Sequence, residues 1–158
     1  MSMRNIIQTT FDEFGKSLGG SKKSGSWYVT GPDAIAVLNL QKSQYGPSYY
    51  VNVGLWFLGV GPVISPKPTQ CHVQSRLEVL LPETQRRHLE DLLDLDHVVN
   101  DGDRRSALLG VLTNQLQPLL EAGMSVKGLA TEKGQHVLMK SLIDGDGQRF
   151  LATRAPGS

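Results

Sequence analysis

Arg76, His72, Asn52 and Trp56 are the side chains of this chain with the most chemistry to offer a ligand. Gln74, Gln41, Asn39 and Gly54 recur with them at alternate positions. An arginine grips a carboxylate or phosphate through two parallel N–H donors. An indole gives a flat platform for stacking, and a glycine in mid-strand lets a ligand or a backbone come close. Two functional readings follow. In the first the set is a non-catalytic binding or protein-interaction surface. In the second the protein is a small enzyme acting on an anionic or nucleotide-like substrate: Arg76 clamps the anion, His72 transfers a proton and Asn52 positions the polar centre. The second reading needs His72 and Arg76 in one concave pocket.

Other combinations fall away on spacing. Cys71-His72 has the residue types of a nucleophile and its base, but neighbours on a strand point to opposite faces. Cys71 is then a small apolar residue. His72, His88, His97 and His136 are scattered, and one cysteine is too few for the common structural zinc sites. The carboxylates of Asp94-Leu95-Asp96, Asp101-Gly102-Asp103 and Asp144-Gly145-Asp146-Gly147 lack EF-hand ligand spacing and read as caps and polar turns. Gly15-Lys16-Ser17 is no phosphate loop, because the position five before Gly15 is Thr10. No metal site and no cofactor is expected.

The elements that carry these residues are strands. Segments 26–30, 34–42 and 48–58 are rich in β-branched and aromatic residues, and turns at Gly31-Pro32-Asp33 and Gln44-Tyr45-Gly46-Pro47 separate them. Such links are too short for a crossover helix, so the strands form an antiparallel meander. A fourth strand is expected over 71–80, after a Gly- and Pro-rich loop at 59–69. Alternation across the third strand sends Tyr49, Val51, Val53, Leu55 and Phe57 to the core and Tyr50, Asn52, Gly54 and Trp56 to the other face. The second strand sends Ala36, Leu38 and Leu40 inward, with Ile35, Val37, Asn39 and Gln41 opposite. The fourth splits into Val73, Ser75 and Leu77 against His72, Gln74, Arg76 and Glu78. The eight candidate residues thereby share one face. The same face also fits a plain solvated sheet surface, or amides satisfied by loop backbone, and a one-residue slip in register would scatter it.

Around the sheet the chain reads as helices at 3–18, 82–93, 100–121 and 125–132, with the first ended by the run 19–25 and Pro118 kinking or shortening the third. Asp101 or Asp103 is expected to cap that third helix. Segment 135–143 fits helix or strand, and Phe150 pins a tail that frays over 152–158. The expected architecture is α+β: a four-stranded, mainly antiparallel sheet packed with an N-terminal helix and several C-terminal helices, in one domain spanning 1–158.

With 158 residues the chain has the size of one domain, and 39% hydrophobic against 20% charged residues is globular usage. A net charge of +1 gives no push toward nucleic acid, and Lys22-Lys23 and Arg86-Arg87 are small, solvated basic pairs. The longest apolar stretch, 55–64, is interrupted by Gly59, Gly61 and Pro62 and is too short for a bilayer, so no membrane partner is expected. One cysteine and no apolar leader fit a reducing, cytoplasmic setting. The partner is then a protein or a small anionic molecule, and the polar face or an exposed sheet edge also allows a homo-oligomer.

Three strings, Asn39-Leu40-Gln41-Lys42-Ser43, Tyr50-Val51-Asn52-Val53-Gly54 and His72-Val73-Gln74-Ser75-Arg76-Leu77, together with the opening helix that ends near glycine, resemble the bacterial proteins grouped as domain of unknown function 4304. The resemblance covers most of 3–120. It implies a cytoplasmic α+β protein and transfers no reaction or cofactor. The recurrent positions it implies are Gln41, Lys42, Ser43, Asn52, Gly54 and Arg76, four of which alternation reaches independently.

Overall fold

The computed structural model describes residues 4–60 and 65–154. Part of the expected loop 59–69 and the end of the expected tail, 155–158, lie outside the described residues. The chain opens with α1 (Ile6–Ser17), whose first turn is closed by a reciprocal pair: Asn5 Oδ1 accepts from Gln8 N and Gln8 Oε1 accepts from Asn5 N. Ile7, Phe11 and Phe14 bury one side of this helix in the core.

The sheet has six strands, not the four expected, in the order of the chain: β1 (Ser21–Lys23), β2 (Ser26–Thr30), β3 (Ala34–Lys42), β4 (Tyr49–Phe57), β5 (Val73–Arg76) and β6 (Leu142–Ile143). Every neighbouring pair is antiparallel. Both additional strands have a physical reason for escaping a pattern search. β1 is polar throughout and is joined to β2 by Ser24 and Gly25, with φ of 52° and 82°. That two-residue turn with positive φ matches the strand twist of a hairpin, but a serine there is an uncommon choice. β6 is two residues long, held by the pairs Val73–Ile143 and Gln74–Leu142, too short for any alternation to register.

The fourth expected strand is also shorter than 71–80. β5 ends at Arg76, and α2 (Leu77–Leu80) turns the chain away. Glu78, in that first helical turn, reaches back so that its Oε1 accepts from Val51 N at 3.1 Å. Its Oε2 has no partner among the described residues, and burial holds its carboxyl above the ordinary value.

One face of the sheet is packed with helices around a single apolar core. α3 (Glu83–Leu92) contributes Leu89 and Leu92. A long helical run follows as α4 (Asp101–Val111), a π turn at Leu112–Leu116 and α5 (Gln117–Gly123). Its cap is Asn100, whose Oδ1 accepts from Asp103 N at 2.8 Å, rather than Asp101 or Asp103. Pro118 neither stops nor shortens the run. It sits in the first turn of α5, just after the widened π turn, where its missing N–H leaves no gap. The chain ends with α6 (Val126–Leu129), α7 (Glu132–Met139), β6 and α8 (Gly145–Arg154). Segment 135–143 is thus helix first and strand second. Asp144, expected in a turn, caps α8 by accepting from Gly147 N at 2.7 Å, so 152–154 are helical. Among the described residues no helix is long and apolar enough to cross a membrane.

Candidate functional site

Register brings the polar side chains together. Asn39 faces Asn52 across β3 and β4, and Asn52 faces Arg76 across β4 and β5, so the three form one row across the sheet. Cross-strand partners share a face and sit close enough for their side chains to touch. Asn52 Nδ2 donates to Asn39 Oδ1 at 3.2 Å and to Gln41 Oε1 at 2.9 Å. Its Oδ1 accepts from Arg76 Nε at 3.2 Å, and Arg76 Nη2 donates to Gln41 Oε1 at 3.3 Å. The Arg76 guanidinium lies over the Tyr50 ring, 4.3 Å from its centre.

Among the described residues every direct contact of Arg76 is with a neutral group, although the Glu78 carboxyl feels its charge. Among the described residues Arg76 joins no ion pair. A guanidinium has five N–H donors. The edge made by Nε and Nη2 is taken by two amide oxygens, which leaves the Nη1–Nη2 edge without a protein acceptor among the described residues. Arg76, Asn52 and Gln41 line a cleft of about 480 Å³, with Thr69, Gln74 and Ser75 beside them. The cleft is completed by Val79, Met139, Lys140, Ser141 and Leu142, and no carboxylate lines it among the described residues. These last residues come from α2, from the end of α7 and from β6, where the sequence showed no single period. The one signal in the string was two large apolar residues, Met139 and Leu142, flanking Lys140.

The other four candidates share this face but are used differently. The segment after the described break lies across the middle of the sheet. Cys71 packs on Gly54, so that a Cβ there would stand 2.7 Å from Cys71 Sγ and 3.6 Å from Pro68 O. Tyr28 Oη donates to Pro66 O at 3.0 Å, and Gln74 Nε2 donates to Thr69 O at 2.9 Å and Cys71 O at 3.1 Å. Tyr28, Val37, Gly54 and Gln74 form one row in the register. Val37 is fully buried although it points away from the helices. The glycine at 54 therefore admits the protein's own loop, not a ligand. Burial pushes the Cys71 thiol up to about 12, aided by the nearby Asp144 carboxylate, so it stays an unreactive thiol at neutral pH.

His72 and Trp56 lie beyond that loop. Cys71 and His72 precede β5 and are both buried. The His72 ring lies 4.0 Å from that of Trp56, tilted by 32°, and its Nδ1 accepts from Phe57 N at 3.0 Å. It supplies the acceptor that β5 would have offered had the strand begun earlier. The cleft does not include His72, so the pairing of His72 with Arg76 that an acid–base site would need is not assembled. Trp56 Nε1 is buried with no partner among the described residues, and its ring is engaged by His72.

Accepting a hydrogen bond at Nδ1 requires the neutral ring. Burial accordingly lowers the His72 pKa below 6.5, against the opposing pull of Asp144 and Asp146. A depressed pKa stabilises the fold fully above that ordinary value, and the contribution is lost as pH falls toward the folded value. The melting temperature is expected to drop more steeply between pH 7.5 and 5.5 than that of His72→Gln, whose amide oxygen can accept from Phe57 without titrating. Parallel curves in thermal unfolding would contradict this role.

Among the described residues no group of three or more His, Cys, Asp or Glu side chains is placed to hold a metal ion. Comparison with curated proteins and with solved structures finds no significant match. Comparison with protein families matches residues 11–122 to the family described as Domain of unknown function (DUF4304). That span is well over half of the chain and holds Gln41, Asn52, Gly54 and Arg76. The chain therefore belongs to the DUF4304 family.

Proposed function

We propose that the protein is a non-catalytic binding module that holds an anionic group in the cleft on its polar sheet face, with Arg76 as the clamp. One observation carries this reading: among the described residues, the direct contacts that fix Arg76 in place are all with neutral groups. Two amide oxygens and the Tyr50 ring orient the guanidinium, while the buried Glu78 carboxyl feels its charge without pairing to it and one bidentate edge stays open among the described residues. Had its role been structural, a carboxylate partner would be the ordinary solution for a half-buried arginine. Lys140 adds a second positive charge to the same cleft, and the partial shelter of a cleft strengthens each contact. Asn52 and Gln41 then act as positioning residues that spare the ligand the cost of ordering a long, mobile side chain.

The test uses simple anions. Acetate or inorganic phosphate, titrated into the protein, is expected to shift the side-chain amide NMR signals of Asn52 and Gln41. In Arg76→Gln, which keeps hydrogen-bonding capacity but not charge, the affinity is expected to fall at least tenfold with the backbone spectrum otherwise retained. Amide signals that ignore both anions, or that respond equally in the variant, would overturn the reading.

A further inference from the structure

We infer that the cleft is shaped for a small amphipathic carboxylate, one carboxyl group on an apolar body. The inference rests on the anion-binding reading and adds the nature of the ligand. Two independent features point to it.

The first is the donor geometry. Asn52 and Gln41 occupy the Nε–Nη2 edge of Arg76, so the ligand meets the Nη1–Nη2 edge. Two parallel N–H bonds in a plane match the two oxygens of one carboxylate. Arg76 and Lys140 are the two cations lining the cleft among the described residues, and the buried Glu78 carboxyl, which interacts with Arg76, offsets one of them when ionised, so the site then balances a single negative charge better than a doubly charged phosphate ester.

The second is the apolar lining. Met139 is 81% exposed and Leu142 is 77% exposed. Leu142 pairs with Gln74, so its side chain stands on the same face as Asn52 and Arg76. Val79, also exposed, lines the same cleft. Isolated apolar residues on a surface need no explanation. Three of them gathered in one cleft beside a cation that joins no ion pair among the described residues form the lining of a ligand pocket: apolar walls with a few directed polar groups. The volume of about 480 Å³ suits a small molecule.

The experiment compares acetate, octanoate below its aggregation concentration, and 1-octanol, each titrated while the side-chain amide signals of Asn52 and Gln41 are followed. Those signals confine the readout to this cleft. Octanoate is expected to bind at least tenfold tighter than acetate, and 1-octanol to bind more weakly than octanoate. In the double variant Met139→Ser/Leu142→Ser the advantage of octanoate over acetate is expected to vanish while acetate affinity holds. Both substituted residues are solvent-exposed, so the fold tolerates the change. In Arg76→Gln both anions are expected to lose affinity. Equal binding of acetate and octanoate, both dependent on Arg76, would overturn the amphipathic ligand and leave the anion clamp standing. Loss of neither anion in Arg76→Gln would overturn both. Octanol as tight as octanoate would also overturn the inference, since the carboxyl group would then contribute nothing.

Discussion

Replacing Arg104 with methionine is expected to cost about 3 kcal/mol of stability, because charge-assisted hydrogen bonds are lost and their acceptors stay behind. Arg104 is 2% exposed at the start of α4. Its guanidinium donates to Asp91 O at 3.2 Å, Leu92 O at 2.6 Å and His97 O at 2.7 Å. The first two belong to the last turn of α3, where carbonyls lack helical partners and the helix dipole favours a cation. One side chain therefore closes the end of α3 and holds the 93–100 connection to α4. Methionine keeps much of the apolar volume and removes every donor, which isolates the polar contribution. For a chain of this size the melting temperature is expected to drop by roughly 6–12 °C. Arg104→Lys, which retains the charge but lacks the planar fork, is expected to fall between the two. A methionine variant melting within about 2 °C of the parent would mean that water replaces the guanidinium at all three carbonyls.

A second large effect is expected at Gly54. Gly54→Ala places a methyl group 2.7 Å from Cys71 Sγ and 3.0 Å from Cys71 Cβ, in a region with no room to yield. Overpacking of this kind costs roughly 1–3 kcal/mol, and here the upper half of the range is expected because Cys71 is fully buried. The cheapest relief is for the loop carrying Pro68 and Thr69 to lift from the sheet. Both residues border the cleft, so anion affinity is expected to fall as well, although Arg76, Asn52 and Gln41 are untouched. The double variant Gly54→Ala/Cys71→Ala removes the nearest clashing atom and is expected to be more stable than Gly54→Ala alone. Such non-additivity is the mark of direct contact. Additive losses in chemical denaturation would place the glycine's importance elsewhere.

The polar face was legible because strand geometry is local. Side chains at alternating positions must project oppositely, and Val51 and Val53 are indeed buried while Asn52, between them, is only partly covered. The pairing of Asn39 with Asn52 follows from the short turn between β3 and β4 and from the need to bury both apolar sets on one side. The helices α1, α3 and α4 were legible for the same reason, since a period of 3.6 is written within a dozen positions, whereas the cap of α4 fell on Asn100, one residue before the aspartates that the sequence suggested. β1 was not, because its signal is a serine in a glycine-like conformation. β6 was not, because two residues carry no period.

What the residues by themselves determined is which side chains share a face, and hence that Asn39, Gln41, Asn52 and Arg76 can meet. What only the tertiary structure decided is how that face is divided. The loop of residues 65–71 crosses the row through Gly54, tying down Gln74 at the edge of the cleft and leaving His72 and Trp56 beyond it, while Met139, Lys140 and Leu142 arrive from the far end of the chain to wall the open half. Alternation along a strand is imposed by the backbone of the strand itself. What covers a face depends on contacts between segments remote in sequence, and neither a period nor a propensity encodes those.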